Sequence, residues 1–458
     1  MTRTESVLVH DRVRAGVPTI LLIVGTQPLE PLLRFFRERS LSISAERSYA
    51  QAAGRFIEWL SVRAAEFMAP DQRGMLYTAF VYDLRFGTYR DGIDAYGLYW
   101  TPTSQKNLER LTRCLLEFSD WLSERYGASM LNPIHHQASH TDQMIFWRRW
   151  NNRKVSSLVS HTKGRHRASE AAMTARTYSL PRHRNSLAQE IQAFPVKYID
   201  ALLWKGFVQR GQEEDSRPWV KYNVRDILIV LLCLYGGCRA SEPLHLWVDD
   251  VFIDPDNSDS ATVLVHEPHE GLAEYTDPMT GARKKTTRAD FLQRFCAGRK
   301  PLTLETGRRH VGWKGCLLTH RERRAFQVFW IDKNAGRLFL TLWRMYLQRV
   351  RPVVLQMPWA FLTKDGQPLG VEGFSDSFAA AVRRIGLTPS KWAGTSTHGL
   401  RHRYGQWLNE LGLGAKEGQV AMHHINAKSQ DVYRQLGAAK IAEVLSQKQI
   451  TAFLELEG

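Results

Sequence analysis

The sequence predicts a mostly α chain with a small β-sheet (α+β), arranged as a helical domain followed by a mostly helical, partly β domain. Three observations carry this. Apolar residues recur at helical spacing in two places: Tyr49, Ala53, Phe56 and Leu60, then Leu108, Leu111, Leu115, Phe118 and Leu122. Such stripes are the buried faces of amphipathic helices. The run from Arg225 to Gly236, RDILIVLLCLYG, is apolar on every side and reads as a core helix. Short runs rich in β-branched and aromatic residues supply only enough strand for a small sheet: Trp247 to Ile253, Ala261 to Val265, Gly312 to Leu318 and Phe326 to Ile331. A length of 458 residues suits two or three domains.

Taken in order, residues 1–27 read as an N-terminal arm with a short strand at Thr19 to Val24, TILLIV. Residues 28–128 form the helical domain. Pro28 to Met68 is helical, and a Gly/Pro/Tyr-rich connection leads to a second helix introduced by Thr103 or Ser104. Arg47, Arg55, Arg63, Lys106, Arg110 and Arg113 lie off the apolar stripes, on faces that suit a polyanion. Residues 129–215 read as a basic linker or insertion. Up to residue 185, its Arg148, Arg149, Arg153, Lys154, Lys163, Arg165, Arg167, Arg176, Arg182 and Arg184 are opposed after Asp142 only by Glu170. Weak apolar periodicity there fits a segment that orders along a phosphate backbone. Residues 216–458 form the second domain. It holds an irregular basic stretch at 267–312, a strand pair around the turn His320 to Arg324, and helices at Leu338 to Arg349 and Glu372 to Ile385. A tail helix runs from Ala438 to Leu456, with Ile441, Val444, Leu445 and Lys448 at helical spacing.

Charge narrows the class of partner. The chain carries 62 Lys and Arg against 46 Asp and Glu, a net charge of +16, which points to a polyanion and first to nucleic acid. No apolar run reaches the roughly 18 residues that span a bilayer, and the start, MTRTESVLVH, lacks a signal-peptide pattern. Cys114, Cys233, Cys238, Cys296 and Cys316 are scattered, with no C-x-x-C pair. They read as reduced thiols of a cytoplasmic protein, with neither zinc ribbon nor disulfide framework.

The residues with the most chemistry lie in Thr397 to Tyr433, THGLRHRYGQWLNELGLGAKEGQVAMHHINAKSQDVY. Thr397 is the expected N-cap of a helix on which His398 and Arg401, three apart, are neighbours. A helix start also favours an anion. His424 follows, then Tyr433. Far upstream, Gly236 and Gly237 break the apolar helix just before Arg239. Two guanidiniums offer paired, permanently charged donors to a phosphodiester. A tyrosine, with a reference pKa of about 10, needs a base to become a nucleophile, and His398 is the candidate. His398 and His402 have the spacing of the H-E-x-x-H ligands, but position 399 is Gly, so the base of a zinc protease is missing. No metal and no cofactor is expected.

In chain order the pattern is G-C-R-A-S-E, then H-x-x-R, then His–x8–Tyr. It resembles the tyrosine recombinase (phage integrase-like) family from about residue 216 to 436, and more loosely in the preceding domain, which is similar to the family's core-binding domain. The resemblance implies a site-specific recombinase or integrase of the kind found in mobile elements. Such an enzyme cuts and rejoins a double-stranded DNA recombination site through a 3′-phosphotyrosyl link without metal or ATP, and works as a tetramer on DNA at the bacterial nucleoid. It assigns Arg239, His398, Arg401 and His424 to the phosphate, Tyr433 to nucleophilic attack and Glu242 to an acid that braces the site. It also implies a lysine on a β-hairpin, which is Lys314 or Lys285. Two departures stand out. Met422-His423-His424 replaces the usual Leu-Gly-His, and the separation of Arg239 from His398 is longer than most members show, which implies an insertion within 267–312. A catalytically inactive DNA-binding scaffold and a type IB-like topoisomerase are the alternatives.

Overall fold

The computed structural model of the chain describes residues 2–14, 16–69, 72, 74–89, 92–135, 138–155, 172–178, 192–277 and 279–426. Tyr433, Arg165, Arg167 and the tail helix expected at 438–456 lie outside the described residues. Contacts divide the chain into two units, Met1–Ser186 and Leu187–Gly458. Among the described residues, no helix is long and apolar enough to cross a membrane.

The first unit opens with an antiparallel hairpin, β1 (Thr4–Asp11) and β2 (Val17–Val24), in register from Thr4 opposite Val24 to Asp11 opposite Val17, with the two-residue strand β3 (Gln27–Pro28) alongside β2. The sequence led us to expect an arm here. The hairpin instead belongs to the packed unit, because Glu46, on a helix that follows, is buried against it. That carboxylate accepts from the Thr19 hydroxyl and the Ile20 amide, both at 2.9 Å, and pairs with Arg14 at 3.0 Å. The region expected as helical from Pro28 to Met68 holds two helices, α1 (Glu30–Arg39) and α2 (Ile43–Arg63). Ser40 breaks it in a left-handed conformation, and Ser42 caps the second helix by accepting from the Ala45 amide at 3.3 Å. The helices α3 (Leu76–Phe86) and α4 (Gln105–Tyr126) complete the core. Trp59, Phe80, Leu84, Leu108, Leu111 and Leu115 form one apolar cluster, and Phe35, Phe36, Phe118 and Trp121 close on the hairpin in another. Part of the expected linker is ordered here. The short strands β4 (Ile134–His135) and β5 (Ala175–Arg176) pair, and the helix α5 (His140–Val155) stands between them in the chain.

In the second unit, the helix α6 (Val224–Leu234) is buried along its length. Asn223 caps it, accepting from the Asp226 amide at 3.3 Å. Phe194, Ile199, Leu202, Leu203 and Phe207 join the same core. The linker expected to reach 215 therefore ends earlier, because these apolar residues are spent on the second core. The three-stranded antiparallel sheet has β7 (Asn257–His266) at its centre, with β6 (Val251–Asp254) and β10 (Ala325–Gln327) as edges. The expected strand at Trp247 starts only at Val251. Val248–Asp250 first makes a tight turn, in which the Asp250 carboxylate accepts from the Trp247 amide at 2.7 Å. Gly312 to Leu318 forms no strand with Phe326 to Ile331. The strand partner of β10 is β7, and the earlier run is free to lie elsewhere. Residues 267–312 are only in part irregular: they include a hairpin, β8 (Leu272–Thr276) with β9 (Arg283–Thr287), followed by α7 (Arg288–Phe295). Arg288 anchors this insertion. It is buried, ion-paired with Asp250, and its guanidinium lies 4.2 Å over the Trp247 ring. The helices α8 (Lys333–Met345), α9 (Val371–Arg384), α10 (Thr397–Glu410) and α11 (Ala415–Ala421) follow.

Candidate active site

Three distant segments meet on one buried carboxylate. The first is the break after α6. Gly237 has φ +69°, and a Cβ there would strike the Tyr404 ring of α10, so only glycine lets the two elements approach this closely. The chain then turns at Arg239, whose amide donates to Glu242 Oε2 at 2.6 Å and whose Nη1 pairs with Glu242 Oε1. Glu242 itself is fully buried.

The second segment is the start of α10. Its cap is Ser396, whose hydroxyl accepts from the Gly399 amide at 3.4 Å, and not Thr397. Both residues are competent caps, and the backbone chooses the earlier one. Arg401, only 1% exposed, donates through Nη1 to the Gly237 carbonyl and through Nη2 to the Met422 carbonyl at 2.7 Å. Nη1 also lies 3.8 Å from Glu242. His398, one helical turn earlier, opens to solvent. Lost hydration, then the nearby cations Arg401, Lys314, Arg239 and Lys391, lower its pKa below the usual 6.5. That favours the neutral imidazole a general base requires. The His402 ring packs against it with centroids 4.2 Å apart and is depressed to about 4, mainly by burial.

The third segment follows α11, where the sequence left open which of two adjacent histidines points inward and its spacing to Tyr433 favoured His424. His423, not only His424, enters the site. It is fully buried and stacked on Phe326 of β10, with ring centroids 3.8 Å apart and planes 14° apart. Its Nε2 is 3.0 Å from Arg401 Nη1 and 3.0 Å from Glu242 Oε2. The signal was the missing glycine. His423 takes φ +44°, a left-handed backbone that glycine adopts freely and that costs other residues of order 1 kcal/mol or more. His424 is buried as well. Burial first, then Arg401 and Arg239, push it down to about 3. Burial likewise holds His423 near 4, against the pull of Glu242. Both are neutral near pH 7. Burial alone would raise the Glu242 carboxyl, but His423, Arg401 and Arg239 hold it well below the usual carboxylate range.

The run Gly312 to Leu318, freed from strand pairing, reaches this site. The Leu317 amide donates to the His423 carbonyl at 3.0 Å, and Lys314, exposed three residues earlier, is among the cations that depress His398. Lys285 is exposed on β9 of the anchored hairpin and is not among those cations. Cys238, Glu242 and His423 place three metal-type donor atoms within 4.8 Å of one another. A metal does not fit there: the cations beside Glu242 and His423 are already the guanidiniums of Arg239 and Arg401, and burial raises the Cys238 thiol well above its usual value.

In the first unit, Arg47 is exposed at the head of a row along α2 that continues through Gln51 to Arg55. Arg110 of α4 donates to Gln51 at 2.7 Å and lies close enough to Arg55 to depress it, after burial. Arg55 covers the Trp100 ring at 5.4 Å. Lys106 is exposed on the same helix as Arg110. Arg63 is turned inward instead, held by Glu66 and Asp83 over Trp59, so it is not part of this surface. Arg148 is exposed on α5, bordering a groove with Met144 and Trp147. Arg149 and Lys154 lie on the same helix, with their side chains outside the described residues.

No family model and no curated protein sequence matches the chain. Among solved structures it is similar to XerH site-specific recombinase bound to difH substrate, at 12% identity over 89% of this chain and 81% of that one, with a TM-score of 0.45. It is similar to the Tn1549 transposon integrase in complex with transposon right end DNA, at 10% identity over 92% and 98%, with a TM-score of 0.44. It is also similar to lambda integrase bound to DNA, at 10% identity over 86% and 91%, with a TM-score of 0.36.

Proposed function

We propose that the chain is a site-specific DNA recombinase or integrase of the tyrosine recombinase kind, cutting and rejoining duplex DNA without metal or ATP. One observation carries this reading: two guanidiniums from segments far apart in sequence, Arg239 and Arg401, converge on the single buried carboxylate of Glu242. A buried ion pair needs close support to offset its desolvation, and Glu242 supplies it from behind. The forks are thereby preorganised for the charge that a phosphodiester gathers under attack, which is usually the largest contribution to lowering such a barrier.

In this mechanism Tyr433 Oη bonds to phosphorus and its proton passes to His398. The bond from phosphorus to the 5′ oxygen breaks, its electron pair leaves on that oxygen, and Lys314 protonates it. His424, neutral, orients a phosphate oxygen. The phosphotyrosine keeps the bond energy, so a second 5′-hydroxyl reverses the steps on another strand. Arg47, Arg55, Lys106 and Arg110 in the first unit, with Arg148, Arg149, Lys154, Arg165 and Arg167, would hold flanking phosphates. Four protomers on two sites would complete the exchange. A cavity of about 580 Å3 lined by Phe329, Ile331, Tyr404, Leu408, Leu413 and Val420 suits the apolar stripe of a neighbour's tail, Ile441, Val444 and Leu445.

The test is covalent trapping on a nicked duplex of the host's junction sequence. Wild type should form an adduct in the presence of a chelator, and Tyr433→Phe should bind the duplex and form none. A wild type that binds DNA and never traps an adduct is a scaffold. One that relaxes supercoils without exchanging strands is a topoisomerase.

A further inference from the structure

We propose that Trp392 is a nucleobase-stacking residue at the edge of the phosphate site; this rests on the reading of that site as one that holds DNA. Trp392 is 84% exposed, whereas Trp59, Trp121, Trp247, Trp343 and Trp359 are all buried. Tryptophan is on average among the well-buried residues, and this one is left bare at the surface.

The loop that carries it is braced at several points. Thr395 is buried, and its hydroxyl donates to the Thr388 carbonyl at 2.6 Å and accepts from the Ser390 amide at 3.0 Å. The Trp392 amide donates to the Ser390 hydroxyl at 3.1 Å. Gly394 takes φ +72°, and a Cβ there would collide with the Ala193 carbonyl. A Cβ on Gly399 would collide with Gly394 in turn. The loop is thus pinned both to residue 193 and to the first turn of α10, the turn that carries His398 and leads to Arg401. The indole is presented by a braced backbone.

Its surroundings identify the occupant. Gly394 packs on Gly399, which sets this end of the loop against the turn that carries His398, and Lys391, the residue preceding the indole, is one of the cations that depress His398. The flanking exposed residues are Lys391 and Ala393. A flat aromatic face next to an ammonium, on a loop packed against the turn that leads to Arg401, matches one nucleotide: the phosphate on the arginines and the base against the indole. Stacking of this kind tolerates any base, and side chains that wedge at a base step work in the same way. The base is that of the nucleotide adjoining the bound phosphate, which becomes free to unstack when the strand beside it is cut.

The experiment places a photoreactive iodouracil at single positions on either side of the bound phosphate in the trapping duplex. The full chain is irradiated as wild type, Trp392→Ala and Trp392→Phe, with thermal unfolding as the folding control. At one position wild type should crosslink through Trp392. Trp392→Ala should slow adduct formation about tenfold, the loss of roughly one stacked base. Trp392→Phe, which keeps a stacking face, should recover most of that rate. Crosslinks that map away from Trp392 at every position overturn the inference, as does a Trp392→Ala chain that traps adduct at the wild-type rate. So does a Trp392→Ala defect that proves to be lost self-association. A wild type that neither binds nor traps the duplex sinks the underlying DNA reading instead, and is told apart by that absence.

Discussion

Replacing Glu242 by Gln tests the centre of the site with almost no change of shape. The carboxylate is fully buried, accepts two bonds from Arg239, lies 3.0 Å from His423 and 3.8 Å from Arg401. One unit pair at 3.8 Å in a medium of effective dielectric near 20 is worth about 4 kcal/mol. Removing one partner of such a buried pair costs about 3–5 kcal/mol, because the cation left behind is unpaired. Glu242→Gln should therefore lower stability by about 3–5 kcal/mol in urea unfolding near pH 7. It should also slow adduct formation about 10²–10³-fold, since both forks lose their common support. The pH dependence has a fixed sign. The Glu242 pKa is depressed in the folded state, so its contribution is full above the ordinary carboxylate value of 4.5 and is lost as pH falls below it. The gap between wild type and Glu242→Gln should narrow in that direction. A variant within about 1 kcal/mol of wild type and reacting at its rate would show that Glu242 does not hold the arginines.

Lys314→Ala should slow cleavage about 10²–10⁴-fold, while a substrate with sulfur in place of the bridging 5′ oxygen, a leaving group that needs no proton, should restore the rate; Lys285→Ala should change neither. His423→Leu should keep apolar contact with Phe326 but leave Arg401 and Glu242 unbridged, lowering the trapping rate about tenfold or more with duplex affinity retained; His423→Gln should recover part of it. His245 and His423 are fully buried and depressed to about 3 and about 4. The unfolded chain therefore binds more protons below the ordinary value of 6.5. Stability should fall as pH drops from there, by up to about 1.4 kcal/mol per unit for each histidine, flattening for His423 near 4 and for His245 near 3. Urea unfolding from pH 7 to 4 measures this, and a flat profile would count against neutral buried imidazoles.

The two stripes at Tyr49 to Leu60 and Leu108 to Leu122 became helices because a helix is written in spacings of three and four residues. The same local logic placed α6 and α10 and made His398 and Arg401 neighbours. It failed where pairing is non-local. Gly312 to Leu318 has strand composition, yet β10 found β7 instead, and the unpaired run hooked its Leu317 amide onto the His423 carbonyl. It also left the order in 267–312 unread, because the ion pair that anchors that hairpin joins Arg288 to Asp250 across a gap no periodicity records.

The residue types of the site, their order along the chain and the excess of positive charge were all written in the primary structure, since each is a matter of which side chains are present and how far apart. Which histidine bridges Arg401 to Glu242 was not, because that choice turns on contacts between segments remote in sequence. A left-handed backbone at residue 423, a flat Phe326 ring to lie against, and a glycine at 237 that admits Tyr404 together carry the His423 imidazole between a guanidinium and a carboxylate. Only the packed chain brings those three conditions into one place.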